Sequence, residues 1–112
     1  MSNPITGKQL WEILVPASDG RGNRLLINHH RIWDEKVRKL TGGGMTISAP
    51  AKGEWVNGKE GSAILREPMI PVRLLTDRIT IDKVATMTME HYDQKAVLYY
   101  MVSDTVYMLE KE

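Results

Sequence analysis

The stretch "INHHRIWDEKVRKLTGGGMTI", Ile27 to Ile47, decides the fold. Trp33, Val37 and Leu40 recur at helical spacing and give one apolar stripe. Asn28 is a residue type that caps helix N-termini, and Ile27 with Ile32 has the spacing of a hydrophobic staple. Asp34 and Glu35 come early while Arg38 and Lys39 come late, as the helix dipole favours. Gly42 stands where a left-handed C-terminal residue is wanted. The stretch therefore predicts a helix, a glycine stop, and then a strand.

The three glycines invite comparison with a phosphate-binding loop. Such a loop runs strand, glycines, helix, and aims the free N–H groups of the helix start at the anion. Here the glycines follow a helix C-terminus, the negative end of its dipole. Lys39 also precedes them rather than following. The segment reads as a C-terminal cap and a tight turn.

On the N-terminal side, "LWEILVPA", Leu10 to Ala17, is nearly continuous in apolar residues and reads as a strand ending near Pro16. "SDGRGNR" reads as an exposed loop. On the C-terminal side, "MTISAPA" alternates as one strand, and Asn57-Gly58 signals a hairpin turn. "EPMIPVRLLT", Glu67 to Thr76, reads as a further strand. Its two prolines argue for an edge position or a bulge near its start. "ITIDKVATMTMEHYDQ" predicts a second helix with Thr80 as its cap and an inner stripe of Ile81, Val84, Ala85, Thr88 and Tyr92. "KAVLYYMVSDTVYML" is strand-like, with a bend or a short tail strand after Ser103-Asp104.

The order β-α-β-β-α-β, with right-handed crossovers, predicts an α+β fold: a ferredoxin-like split βαβ arrangement, antiparallel sheet on one side and two helices on the other. The 112 residues fit one domain, 1–112.

Composition narrows the functional classes. Net charge is +1, so no global field recruits nucleic acid or an anionic membrane. Cysteine is absent, which excludes disulfides, thiolate nucleophiles and cysteine-ligated metals. The N-terminus lacks the apolar core of a secretory signal, and no apolar run approaches a membrane span. A cytoplasmic protein without cofactor or metal is expected. A sheet of this topology that binds RNA would carry a basic-aromatic run, and none occurs; phenylalanine is absent altogether. No motif of a serine hydrolase, zinc protease or phosphate loop is present.

The candidate ligand-binding residues are Asn28, His29, His30 and Arg31 at the start of the first helix, with Arg24 from the preceding loop and Trp55 from the hairpin. Cations at a helix N-terminus are locally unfavourable, and an anionic partner would relieve that. His29 and His30 are adjacent, so they diverge on a helix and cannot chelate one metal as an i,i+4 pair can. A metal site would need distant partners such as His91 with Asp93. Tyr99 and Tyr100 fall on opposite faces of the last strand, so one marks the helix-free face as a surface for homo-oligomer assembly.

The runs "HHRIWDEKVRKLTGGGMTI", "KGEWV" and "EPMIPVRLL" resemble a pattern in small uncharacterised proteins of phages and bacteria. The resemblance implies a ferredoxin-like fold and no particular activity. By analogy, small phage proteins of this size often act by binding, including as sponges for nucleotide signals. The leading expectation is a homo-oligomeric, phage-borne binding protein for an anionic small molecule such as a nucleotide, without nucleic-acid or membrane partners. The alternatives are a small enzyme using His29 or His30 as general acid–base, and a protein–protein interaction module.

Overall fold

A strand of fourteen residues, Ala63–Thr76, is the spine of the sheet. In the computed structural model, which describes residues 2–19, 21–57 and 63–111, the elements in chain order are β1 (Ser2–Pro4), β2 (Gln9–Pro16), α1 (Ile27–Thr41), β3 (Met45–Ile47), β4 (Ala51–Asn57), β5 (Ala63–Thr76), α2 (Arg78–His91), β6 (Tyr99–Ser103) and β7 (Tyr107–Leu109). The main sheet runs β6, β2, β5, then β3 and β4 end to end along the far side of β5; every pairing is antiparallel. This is the ferredoxin-like split β-α-β-β-α-β arrangement. A separate two-stranded ribbon pairs β1 with β7.

Alternation along β2 sends Trp11, Ile13 and Val15 to the helix side, where they meet Val72 and Leu74 of β5. Trp33 and Val37 of α1 and Ile81, Val84 and Ala85 of α2 close the core. Both helices thus lie on one face. Trp11 also donates its indole N–H to the Thr76 carbonyl at 3.0 Å, so the ring is core rather than a ligand platform.

Several local expectations need correction. Asn28 is not the cap of α1. Leu26 holds that position in extended backbone without a side-chain hydrogen bond, and its carbonyl accepts from His29 N–H at 3.0 Å and His30 N–H at 3.4 Å. Ile27 and Ile32 are both exposed, so no staple forms. Tertiary contacts of the histidines, described below, hold this helix start instead. Leu40 is 40% exposed and faces away from the sheet. The cap of α2 is Asp77, whose carboxylate accepts from Thr80 N–H at 2.7 Å; Thr80 is the capped residue. The C-terminal reading of α1 is as expected: Gly42 has φ 67° and donates to Arg38 O.

The "MTISAPA" strand is broken at Ser48–Pro50 into β3 and β4. That break explains how the prolines of β5 sit inside the sheet rather than at an edge. A residue's N and O point to the same side of a strand. Pro71 O accepts from Ser48 N–H, so the missing donor of Pro71 faces the gap between β3 and β4. Pro68 O accepts from Ala17 N–H, just past the end of β2, so its missing donor falls beyond that ladder. The hairpin expected at Asn57-Gly58 lies partly outside the described residues.

Candidate functional site

The helices run antiparallel, and the start of α1 meets the end of α2. His29 Nε2–H donates to His91 O at 3.0 Å, and His91 Nε2–H donates to His29 O at 2.7 Å. Their rings stack with centroids 4.0 Å apart. With Nε2 carrying the proton, His91 Nδ1 is an acceptor, and Lys36 Nζ lies 3.2 Å from it. His30 Nδ1 is 2.7 Å from Tyr92 Oη. One turn further, Trp33 donates its indole N–H to Thr88 Oγ1 at 2.9 Å, and Thr88 donates its own O–H to Val84 O at 2.6 Å.

Burial is the main cause that lowers the pKa of both His30 and His91. The nearby His29 adds to this for each, and Lys36 does so for His91. Tyr92 is held as the phenol, chiefly by burial and then by Asp34. His30, His91 and Tyr92 are therefore all biased toward their uncharged forms. The sequence pairs His29 and His30 with an anion; the structure pairs them with α2. Asn28, Arg31 and Arg24 are exposed and take no part in it. Trp55 lies in β4 opposite Leu65, and its side chain is outside the described residues. The loop before α1 is closed on itself: Asp19 accepts from the backbone N–H groups of Arg21 and Asn23. His91 and Tyr92 were the missed partners. Their position at the end of an antiparallel α2 is the signal that places them there.

Beside the junction, the two helices enclose an open groove of about 620 Å³ lined by Lys36, Lys39, Leu40, Asp82, Lys83, Thr86, Met87 and Glu90. Leu40 and Met87 supply apolar floor between three lysines. Asp82 is already engaged by the Tyr99 hydroxyl at 2.7 Å and by Arg78 at 3.2 Å; the Tyr99 hydrogen bond first, and Arg78 after it, hold its carboxyl below the usual range. The cationic side of the groove is thus opposed mainly by Glu90. Lys39 pairs only loosely with Glu35, at 4.0 Å on an exposed surface, and such pairs are weak.

The other face of the sheet carries no helix. Glu12 projects there, opposite Arg73 on one side and Tyr100 on the other. It accepts from Arg73 Nε at 3.1 Å and from the Tyr100 hydroxyl. Tyr100 is 43% exposed; Tyr99 lies on the helix side against the core.

No protein-family model matches the chain, and neither does any curated protein. Solved structures do. A phage SAM lyase in complex with S-methyl-5'-thioadenosine superposes with TM-score 0.66 at 13% identity, over 93% of this chain and 91% of that one. CutA from Synechococcus elongatus gives 0.64 at 10% identity, over 96% and 85%. A PII-like signaling protein from Thermus thermophilus gives 0.53 at 20% identity, over 96% and 92%. At these identities the likeness is one of fold: the chain is a small α+β protein of the shape these three share. Among the described residues, no helix is long and apolar enough to cross a membrane, and no three His, Cys, Asp or Glu side chains are grouped to hold a metal ion.

Proposed function

We propose that this protein binds a small anionic molecule with an apolar or ring-like body in the α1–α2 groove, and that nucleoside phosphates are the class to test first. The groove carries the reading. Its volume lies within the range of small-ligand sites, about 300–1,000 Å³, and it sets lysine charge over an apolar floor. The nucleoside bound to the phage SAM lyase supports the choice of probe. The sequence resemblance to phage and bacterial proteins supports a phage-borne, cytoplasmic role in sequestering such a molecule. This places the anion further along the helices than Asn28–Arg31, because the imidazoles there are occupied by α2.

The test is calorimetric titration of AMP and adenosine at about pH 8. AMP should bind more tightly than adenosine, and Lys83→Ala should weaken AMP about two- to fivefold, the scale of one partly exposed charge pair. Equal binding of AMP and adenosine, or an unchanged Lys83→Ala, refutes the groove. A second reading, a small enzyme, is favoured by one contact, the hydrogen bond that sets a titratable His30 against the Tyr92 hydroxyl at 2.7 Å. Chromatography after prolonged incubation separates the two, since binding alone leaves AMP intact.

The helix-free face, with Tyr100 and Leu14 around the Glu12–Arg73 pair, is the surface for homo-oligomer assembly. Light scattering at micromolar concentration should show at least a dimer. Tyr100→Lys, which keeps a partner for Glu12, should give a smaller species; a monomeric wild type refutes the assembly.

A further inference from the structure

Lys36 belongs to two places at once. Its side chain lines the α1–α2 groove, and its Nζ lies 3.2 Å from His91 Nδ1 at the groove's end. It can serve only one of them. While His91 is neutral, its Nε2–H is committed to the His29 carbonyl at 2.7 Å, so Nδ1 offers a lone pair and holds the ammonium. When His91 takes a proton, Nδ1 becomes a donor. The acceptor disappears, and two cations stand at hydrogen-bond distance.

We propose that Lys36 is a proton-gated ligand contact, held by neutral His91 and released into the groove when His91 is protonated, so that anion uptake is linked to pH. This deepens the groove reading and rests on it.

The surroundings of His91 fit a gate. From α1 it faces His29, stacked on its ring, together with His30 and Lys36. From its own helix end it faces Tyr92, edge-on with centroids 4.8 Å apart. The His29, His30 and Lys36 charges all oppose protonation of His91, while the His29 carbonyl favours it. Burial is the largest influence and also opposes it, which sets the midpoint below that of a free imidazole. Glu90 is one of two carboxylates on the groove wall; the other, Asp82, is engaged by Tyr99 and Arg78. Glu90 would draw a released Lys36 toward the groove rather than back to the seam. An anion in the groove compensates the released Lys36 and the new imidazolium, so it raises the proton affinity of His91 as the proton raises its own affinity.

Two measurements test this. The probe is adenosine 5'-methylphosphate, a phosphodiester whose single charge does not titrate between about pH 5 and 8. In the protein without probe, ¹⁵N-edited NMR should show His91 as the Nε2–H tautomer, and Lys36→Met should raise its titration midpoint. In calorimetry the wild type should bind the probe about two- to fivefold more tightly at about pH 5.5 than at about pH 8. Neither Lys36→Met nor His91→Gln should show that gain. Glutamine can still donate to the His29 carbonyl, and Lys36 is exposed, so both variants keep the fold. An unmoved His91 midpoint in Lys36→Met overturns the gate. So does an undiminished acid gain in His91→Gln. If the probe binds equally at both pH values, the gate falls and the groove stands; if it binds at neither, the groove falls and the gate with it.

Discussion

Removing the Trp33 ring strikes the contact on which the two helices close. The side chain is 1% exposed and lies over the sheet residues of the core, with its indole N–H on Thr88. Trp33→Ala deletes that ring and leaves a cavity, a change that costs about 3–5 kcal/mol. Thr88 loses an incoming donor but still donates to Val84 O at 2.6 Å, so its hydroxyl is not orphaned and adds little. A domain of this size has about 6–17 kcal/mol in total, so the loss is a large share. In urea, with a slope of about 1.5 kcal/mol/M, the midpoint should fall by about 2–3 M. Trp33→Phe keeps most of the volume and isolates the hydrogen bond. A cycle of Trp33→Phe with Thr88→Val should return a coupling of about 0.5–1.5 kcal/mol. A cost below about 1 kcal/mol for Trp33→Ala would mean that this ring does not fill the core.

Two further expectations concern the ends of the helices. His30 and His91 have folded-state pKa values below that of the unfolded chain, so between those values the unfolded state binds more protons. Their contribution is complete above about pH 6.5 and is lost as pH falls below it; urea midpoints should drop from about pH 6.5 toward pH 5, and the double variant His30→Gln with His91→Gln should flatten that slope. A wild-type midpoint constant over that window refutes the neutral seam. Gly42 has φ 67° with open space where a Cβ would stand, so Gly42→Ala should cost about 1–2 kcal/mol from backbone strain alone; an unchanged thermal midpoint would contradict the left-handed cap.

The parts of this fold that a sequence shows are those set by spacing. The stripe Trp33, Val37 and the stripe Ile81, Val84, Ala85, Thr88 are local patterns, and each meets the core. Gly42 is legible for the same reason, since a helix stop is decided within a turn. The prolines of β5 misled because each backbone group was judged without its partner strand. Whether a missing donor matters depends on what lies across from it, and Pro71 lies across from the gap at Ser48–Pro50, about twenty residues earlier in the chain. The histidines misled likewise. A cationic cluster at a helix start suggests an anion only while its donors are free, and the residues that occupy them, His91 and Tyr92, are 62 positions away from their partners. β7 is the short tail strand offered as one alternative after Ser103-Asp104, but its partner β1 was not expected, because a three-residue strand carries too little pattern to be seen.

The spine strand has a consequence for how the chain is made. β2 lies between β5 and β6, and its register with β5 begins at Gln9 opposite Thr76. During synthesis, then, β2 emerges with both hydrogen-bonding edges open and with Trp11, Ile13 and Val15 uncovered. Its first partner is complete only after Thr76 has cleared the ribosome, roughly 3–13 s later at about 5–20 residues per second. Until that moment α1 has no finished sheet to lie on. The nascent chain therefore carries a sticky early strand while about sixty further residues, from Pro16 to Thr76, are added, and the sheet can begin to close when β5 arrives. A rare-codon pause placed before the β5 codons would lengthen that exposure and lower the soluble yield. The same pause placed after α2 would fall on a chain whose central strands are already paired, and would leave the yield unchanged.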